Sequence, residues 1–246
     1  MRLLCATFTL ALFLYGCGSS QKEPAATPND ASSATGSLLP LAVGNVWTYR
    51  VTDPDGTISS EVESIPAREM VGGTGPYGAQ MAFRLVTGKK ANDPNGDVSW
   101  QAEVDSRVVR FREISIGQNK GNEKNETFWD PPRLRLDESV AHIADKASWS
   151  ETFTEYGIDV DTDLDGGSYV PDGGRTTDSN QETWTVVASS QQITVDAGTF
   201  DALAVRRTTG GGSLKNFWFA RGVGLIRQSQ EGKPTHELSS YRVSSP

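Results

Sequence analysis

The chain predicts an all-β fold: a single domain built on one strongly curved, half-barrel-like antiparallel sheet of about 10–12 strands, with at most one short helix. Three observations lead there. From position 46 onward, apolar residues recur at every second position, the period of a strand with one buried face. Asp55-Gly56, Asn95-Gly96 and Ala197-Gly198 fall between such runs and read as tight turns. Only one stretch, Asp137 to Lys146, spaces its apolar neighbours as a helix does, with Leu136, Val140 and Ile143 on a common face.

Taken in order, Trp47, Tyr49 and Val51 alternate with Thr48 and Arg50, and Met81, Phe83 and Leu85 form a second alternating run. Val109 and Phe111 follow, with Ile114 after a slip of one position. Pro131-Pro132 just upstream limits the helix at 137–146 to a short, turn-like piece. Trp184 and Val186, then Phe200, Leu203 and Val205, return to period two. In Ala197-Gly198-Thr199-Phe200 the glycine permits the turn and the phenylalanine brings an aromatic back to the core. Gly222 and Gly224 flank Val223 where a strand must bend or approach another backbone closely. That Gly-x-Gly is no phosphate loop, because neither a helix nor a Lys-Ser/Thr pair follows it.

Ahead of the sheet, residues 1–16 carry one basic residue, Arg2, and an apolar run from Leu3 to Leu14. A membrane-spanning helix needs roughly 20 apolar residues, so this run reads as a signal peptide. Its ending, Leu14-Tyr15-Gly16-Cys17, resembles the bacterial lipobox, which implies cleavage before Cys17 and diacylation of its thiol. The same resemblance, with Gly18 rather than Asp after the cysteine, implies an outer-membrane lipoprotein facing the periplasm. Cys5, the other cysteine, lies in the removed segment, so the mature chain has no thiol and no disulfide. Residues 18–37 contain no aromatic or large aliphatic side chain. Together with Cys17 they read as a lipidated, disordered tether with a reach of roughly 25 Å, leaving 38–246 as the folded domain.

LLPLAVGNVWTYRV at 38–51 resembles the opening of a set of uncharacterised bacterial lipoproteins with a Pro-Leu-x-x-Gly-Asn-x-Trp-x-Tyr signature. ITVDAGTFDALAVRR at 193–207 and FWFARGVGLIRQ at 217–228 resemble their closing hairpins. The resemblance implies a curved sheet like the half-barrels of periplasmic lipoprotein carriers, and it implies no activity. The long middle, 52–192, lies outside it.

The mature chain has 22 basic against 31 acidic side chains, which argues against a nucleic-acid partner or a basic membrane-binding face. With two histidines, His142 and His236, no Gly-x-Ser-x-Gly elbow and no mature thiol, the sequence reads as non-enzymatic. Glu151 with Glu155 does not by itself indicate glycoside chemistry in so acidic a chain. The expected role is that of a membrane-anchored envelope protein that binds a protein partner or supports structure. The alternative is a carrier or sensor with an apolar, lipid-like ligand on the concave face. Six tryptophans, at 47, 100, 129, 149, 184 and 218, fit either a filled core or a ligand groove.

No cofactor is required, but one stretch fits calcium. In DVDTDLDGGSYVPD, Asp161, Asp163 and Asp165 stand at loop positions 1, 3 and 5, with Gly167 at 7 and Asp172 at 12. Four aspartates on one strand face would repel by roughly 0.6 kcal/mol per neighbouring pair in water. The expectation is therefore an inserted acidic loop over 157–180, either calcium-ordered or disordered.

Overall fold

Strict alternation over most of the domain becomes twelve strands in the computed structural model, which describes residues 36–116, 124–161 and 170–244. They are β1 (Val46–Thr52), β2 (Ile58–Met70), β3 (Met81–Gly88), β4 (Asp97–Val104), β5 (Arg107–Ile116) and β6 (Lys124–Asp137). The second half comprises β7 (Ser148–Asp161), β8 (Val170–Val195), β9 (Gly198–Thr209), β10 (Leu214–Ala220), β11 (Gly224–Gln230) and β12 (Thr235–Arg242). The described residues contain no helix. Each strand pairs antiparallel with the next, and β1 pairs with both β2 and β12, so the sheet is a closed up-and-down barrel.

Closure corrects the half-barrel expectation. Period two reports which face of a strand is buried, not whether the first and last strands meet. An open half-barrel would leave the edges of β1 and β12 as rows of unpaired amides and carbonyls. Instead Val46 faces Arg242 and Thr52 faces Thr235, with one bulge after Thr48.

The acidic loop at 157–180 is also corrected. Gly157 pairs with Thr176, Ile158 with Arg175, Val160 with Pro171 and Asp161 with Val170. The ladder therefore runs through most of the stretch read as loop, and the eight residues 162–169 that join it lie outside the described part. Thr152, Thr154, Tyr156, Ile158 and Val160 are β-formers. Their preference and the ladder outweigh a repulsion of about 0.6 kcal/mol between Asp159 and Asp161. The segment read as a short helix is a set of turns. The Ser139 carbonyl accepts the His142 and Ile143 N–H groups, and Asp137 ends β6 and accepts the Ser139 N–H.

The barrel has two distinct ends. One carries the β2–β3, β4–β5, β6–β7, β8–β9 and β10–β11 connections, and residues 36–45 cross it as a strap. One Glu138 carboxylate oxygen accepts from Ser37 Oγ at 2.6 Å, the Leu38 N–H at 2.8 Å and the Leu39 N–H at 3.1 Å. The Gly222 N–H donates to the Ser37 carbonyl, and Leu38 is buried. The β5–β6 and β7–β8 connections lie at the opposite end.

At the strapped end, the two segments that resemble the lipoprotein signature meet. The registered pairs between β11 and β12 are Arg227 with Glu237 and Gln228 with His236, so the ladder lapses toward the strap. Two inward aromatics of β1 reach across β12 and replace it. The Trp47 indole donates to the Val223 carbonyl at 2.6 Å and the Tyr49 hydroxyl to the Leu225 carbonyl at 3.1 Å. Gly224 takes a positive φ of 109°, and a Cβ there would meet the Trp47 indole nitrogen at 3.2 Å. Trp47→Phe removes one donor and leaves the Val223 carbonyl unpaired. It is expected to cost about 1–3 kcal/mol in urea unfolding, and an unchanged midpoint would show that water replaces the indole.

Candidate functional site in the barrel interior

Cross-strand register shows which side chains face inward. Trp47 opposes Glu63, Tyr49 opposes Glu61, and Val51 opposes His236. Further round, Lys215 opposes Arg207, Arg207 opposes Trp184, and Trp184 opposes Trp149. Trp129 opposes Glu155, and Arg110 opposes both Gln101 and Arg133. Large aromatics on this face are sealed from solvent at points all round the ring: Trp47, Tyr49, Trp129, Phe153, Trp184 and Phe217. Eight strands give an interior that side chains just fill, whereas more strands enclose a wider space.

Part of that space is filled. The rings of His142, Trp149, Trp184, Phe217 and Phe219 form one continuous stack, with successive centroids 4.1, 6.3, 5.9 and 6.0 Å apart and successive planes within 20°. Leu38 of the strap joins this cluster. A second cluster around Trp47, Ile65, Ile226 and Leu238 is capped by Leu41. These are the apolar floor.

The rest of the inward face is charged. Arg110 and Arg133 both lie over the Trp129 ring, and Arg207 lies over both Trp184 and Phe217. Lys215 sits over Phe217 at 5.4 Å. Glu182, only 2% exposed, takes Arg133 at 2.6 Å and Arg207 at 3.5 Å, and Arg110 pairs with Glu113. Arg135 and Lys215 make no direct hydrogen bond or ion pair among the described residues. These cations are not sealed: 14% of the Arg110 side chain, 21% of Arg133 and 13% of Arg207 remain accessible. These groups lie on the inward face and keep partial access to solvent.

The electrostatics follow from crowding. Burial first, and then Arg110, lower the Arg135 guanidinium to about 9, against the pull of Glu63 and Glu113. Burial and Arg133 lower Arg207 to about 10. Burial, followed by Arg207, Arg135, Arg110 and Arg133, lowers Lys215 to about 7. Burial raises Glu63 above the ordinary carboxylate range, whereas at Glu113 the burial effect is outweighed by Arg110, Arg135 and Arg133, which hold it below. The Tyr49 phenol is raised by burial and by Glu63 and Glu61.

Of the residues singled out from the sequence, Cys17, Asp163, Asp165 and Gly167 lie outside the described part. Asp161 is the last residue of β7 and Asp172 the third of β8, so the calcium positions flank one hairpin. Both histidines are engaged. His142 Nδ1 lies 2.7 Å from Asp137, and His236 contacts Glu61 and Gln228. Glu151 pairs with Arg107, while Glu155 accepts from the Trp129 indole.

The inward arginines were missed by the alternation. In β5 and β6 the apolar residues Val109, Phe111 and Leu134 lie on the outward face, packed with Val71 and Tyr77 of the β2–β3 connection. The arginines between them therefore turn inward. The available signal was VRFRE at 109–113 and RLRLD at 133–137, two strands with a cation at every second position, although Arg112, beyond the irregularity after Arg110, turns outward and donates to the Val71 carbonyl.

No family model matches the chain, and no curated protein matches it. Among solved structures it is similar to a protein of Bacteroides fragilis assigned as exported, with a YmcC-like fold. The two share 12% identity and a TM-score of 0.50 over 85% of this chain and 100% of that one. It is also similar to a protein of Parabacteroides distasonis assigned as a lipoprotein, at 14% identity and a TM-score of 0.42 over 84% and 99%. At such identities the first likeness establishes the fold alone.

Proposed function

We propose that the protein is a lipid-anchored component of the bacterial envelope that holds a small ligand inside its barrel without transforming it. The supporting observation is the partly solvent-accessible, cation-lined part of the inward face beside an aromatic floor, in a closed ring of twelve strands, more than the eight whose interior side chains just fill. A wholly apolar ligand suits the stacked rings but not a wall of guanidinium groups, so the carrier reading narrows to a ligand with a polar part. The engagement of both histidines in local contacts favours binding over catalysis. The lipobox-like Cys17 supports the anchor, and the Bacteroides fragilis protein of the same fold is assigned as exported. The described chain begins at the strapped end, and β7 ends and β8 begins at the opposite end of the barrel. Calcium held by Asp161, Asp163, Asp165, Gly167 and Asp172 would order the connection between those two strands.

Native mass spectrometry of the full lipidated chain, extracted from its own membrane in neutral detergent, tests the carrier reading. A bound mass that is lost on denaturation is expected, and a clean apoprotein mass counts against it. For the anchor, Cys17→Ser is expected to move the protein to the soluble periplasmic fraction. Continued membrane association would contradict the lipid anchor.

A further inference from the structure

We infer that the interior site takes an oxyanion, a carboxylate, sulfate or phosphate group, seated by Arg135, Arg207 and Lys215 with Arg110 and Arg133 behind them. This rests on the carrier reading and adds the chemistry of the ligand.

The first ground is charge balance. Five cations share this part of the interior with Glu63, Glu113 and Glu182. Among the described residues, other carboxylates on the inward register include Glu61 against the His236 ring, Glu151 against the Arg107 guanidinium and Glu155 against the Trp129 indole, with the exposed Asp97, Glu103 and Asp178 opposite Thr87, Val108 and Glu155. Burial also disfavours the charged form of Glu63. The local balance is therefore positive in a protein whose overall charge is −8.

The second ground is unmet hydrogen bonding. Glu182 and Glu113 engage Arg133, Arg207 and Arg110, but among the described residues the Nε–H groups of Arg110, Arg133 and Arg135 and the Trp184 indole have no acceptor, while Arg207 Nε lies 3.5 Å from one Glu182 oxygen and the other Glu182 oxygen has no donor. Arg135 and Lys215 make no direct hydrogen bond or ion pair among the described residues, and Lys215 has only the Phe217 ring beneath it. Buried cations without partners are costly and normally neutralise or pair. Arg207 and Lys215 share the Phe217 ring, Arg133 and Arg207 share Glu182, and Arg110 and Arg133 share the Trp129 ring. These four thus form one cluster rather than four isolated charges, and Arg135 adjoins it within electrostatic reach of Arg110, Arg207, Glu63 and Glu113. A planar guanidinium fork recognises an oxyanion in two-point fashion, and an ammonium adds a point charge. The aromatic stack under Arg207 and Lys215 would accept whatever apolar part the ligand carries.

Two sources could present this chemistry: a free anion, or the headgroup of an amphiphile whose tail lies on the floor. Tryptophan fluorescence of the full lipidated chain in neutral detergent, freed of any retained ligand, distinguishes them. Inorganic phosphate and octyl phosphate are the probes, and octyl glucoside is the neutral control. Saturable quenching is expected with at least one phosphate probe and not with octyl glucoside. Octyl phosphate tighter than phosphate by about tenfold or more, roughly 1.4 kcal/mol, identifies a headgroup site. Comparable affinities identify a free-anion site.

The double variant Arg135→Gln/Lys215→Met is expected to weaken binding by about tenfold or more without lowering the thermal midpoint, since it removes cations that lack partners. Binding is also expected to tighten as pH falls from about 8.5 to 6, where Lys215 gains its proton, and this dependence should shrink in Lys215→Met. No saturable binding of either phosphate at about 10 mM, well beyond an affinity of biological use, overturns the inference. Equal binding by the double variant does the same. If native mass spectrometry finds a retained neutral molecule, the carrier reading stands and the oxyanion assignment falls.

Discussion

Trp184→Ala is expected to lower stability by about 3–5 kcal/mol, the range for removing a large buried aromatic. The indole is 1% exposed and stacks between Trp149 at 6.3 Å and Phe217 at 5.9 Å, with Arg207 over its face at 5.8 Å. Each such aromatic pair adds about 0.5–1.5 kcal/mol beyond burial. The cavity left behind lies in the wall of the barrel, where neighbouring strands cannot collapse to fill it. For a domain of this size the loss corresponds to a fall in Tm of roughly 10 °C. Trp218→Ala is the control. That residue points outward, is half-buried, and donates to Gln191 at 3.1 Å, so its removal should cost only about 1 kcal/mol. Urea unfolding monitored by circular dichroism measures both. Equal losses would mean that the stack is not the packed floor described here.

The contrast between these two tryptophans also shows where sequence reading stops. Period two located the strand containing Trp184 and the strand that opens with Trp47, and turn signals at Asp55-Gly56, Asn95-Gly96 and Ala197-Gly198 fall between paired strands. It could not say which of two alternating faces is inside. In β5 the rule assigns Val109 and Phe111 to the core, and they are buried, but beneath the β2–β3 connection on the outer face. Arg110, the residue between them, turns into the barrel. The same inversion hides Arg133, and a bulge beside Leu134 brings Arg135 inward. Closure was hidden for a different reason. It depends on the pairing of residues almost 200 positions apart, Val46 with Arg242, and no local pattern encodes that. The acidic run was overread as loop because charge repulsion between neighbouring carboxylates is small in water beside the β7–β8 ladder that holds the chain on either side of it. The anchor proposed at Cys17 rests on a different kind of signal, a short apolar run ending in Leu14-Tyr15-Gly16-Cys17, which is local and needs no fold.

Lys215→Met is expected to abolish a rise in stability with pH that the unchanged, ligand-free protein shows between about pH 6 and 8.5. Burial, then Arg207, Arg135, Arg110 and Arg133, bring the folded ammonium down to about 7 from 10.5. The unfolded chain keeps this proton up to its ordinary value, so across the window between the two the unfolded state binds more protons than the folded one. Stability therefore rises with pH from about 7, and below that value the folded state carries the full cost of a charged lysine among arginines. From the folded value to pH 8.5 the gain is about 2 kcal/mol at 1.36 kcal/mol per unit. The methionine variant has no such proton, so its stability should be flatter over this range and higher than that of the parent at about pH 6, by on the order of 2 kcal/mol. The difference of differences isolates Lys215 from other titrating groups, such as Glu63, because both proteins carry them. Urea midpoints at the two pH values, with m unchanged, supply the measurement. Parallel pH profiles for the two proteins would show that Lys215 keeps an ordinary ammonium in water. In that case the interior beside Phe217 is more open than its burial implies, and the positive balance that motivates an anionic ligand would be correspondingly weaker.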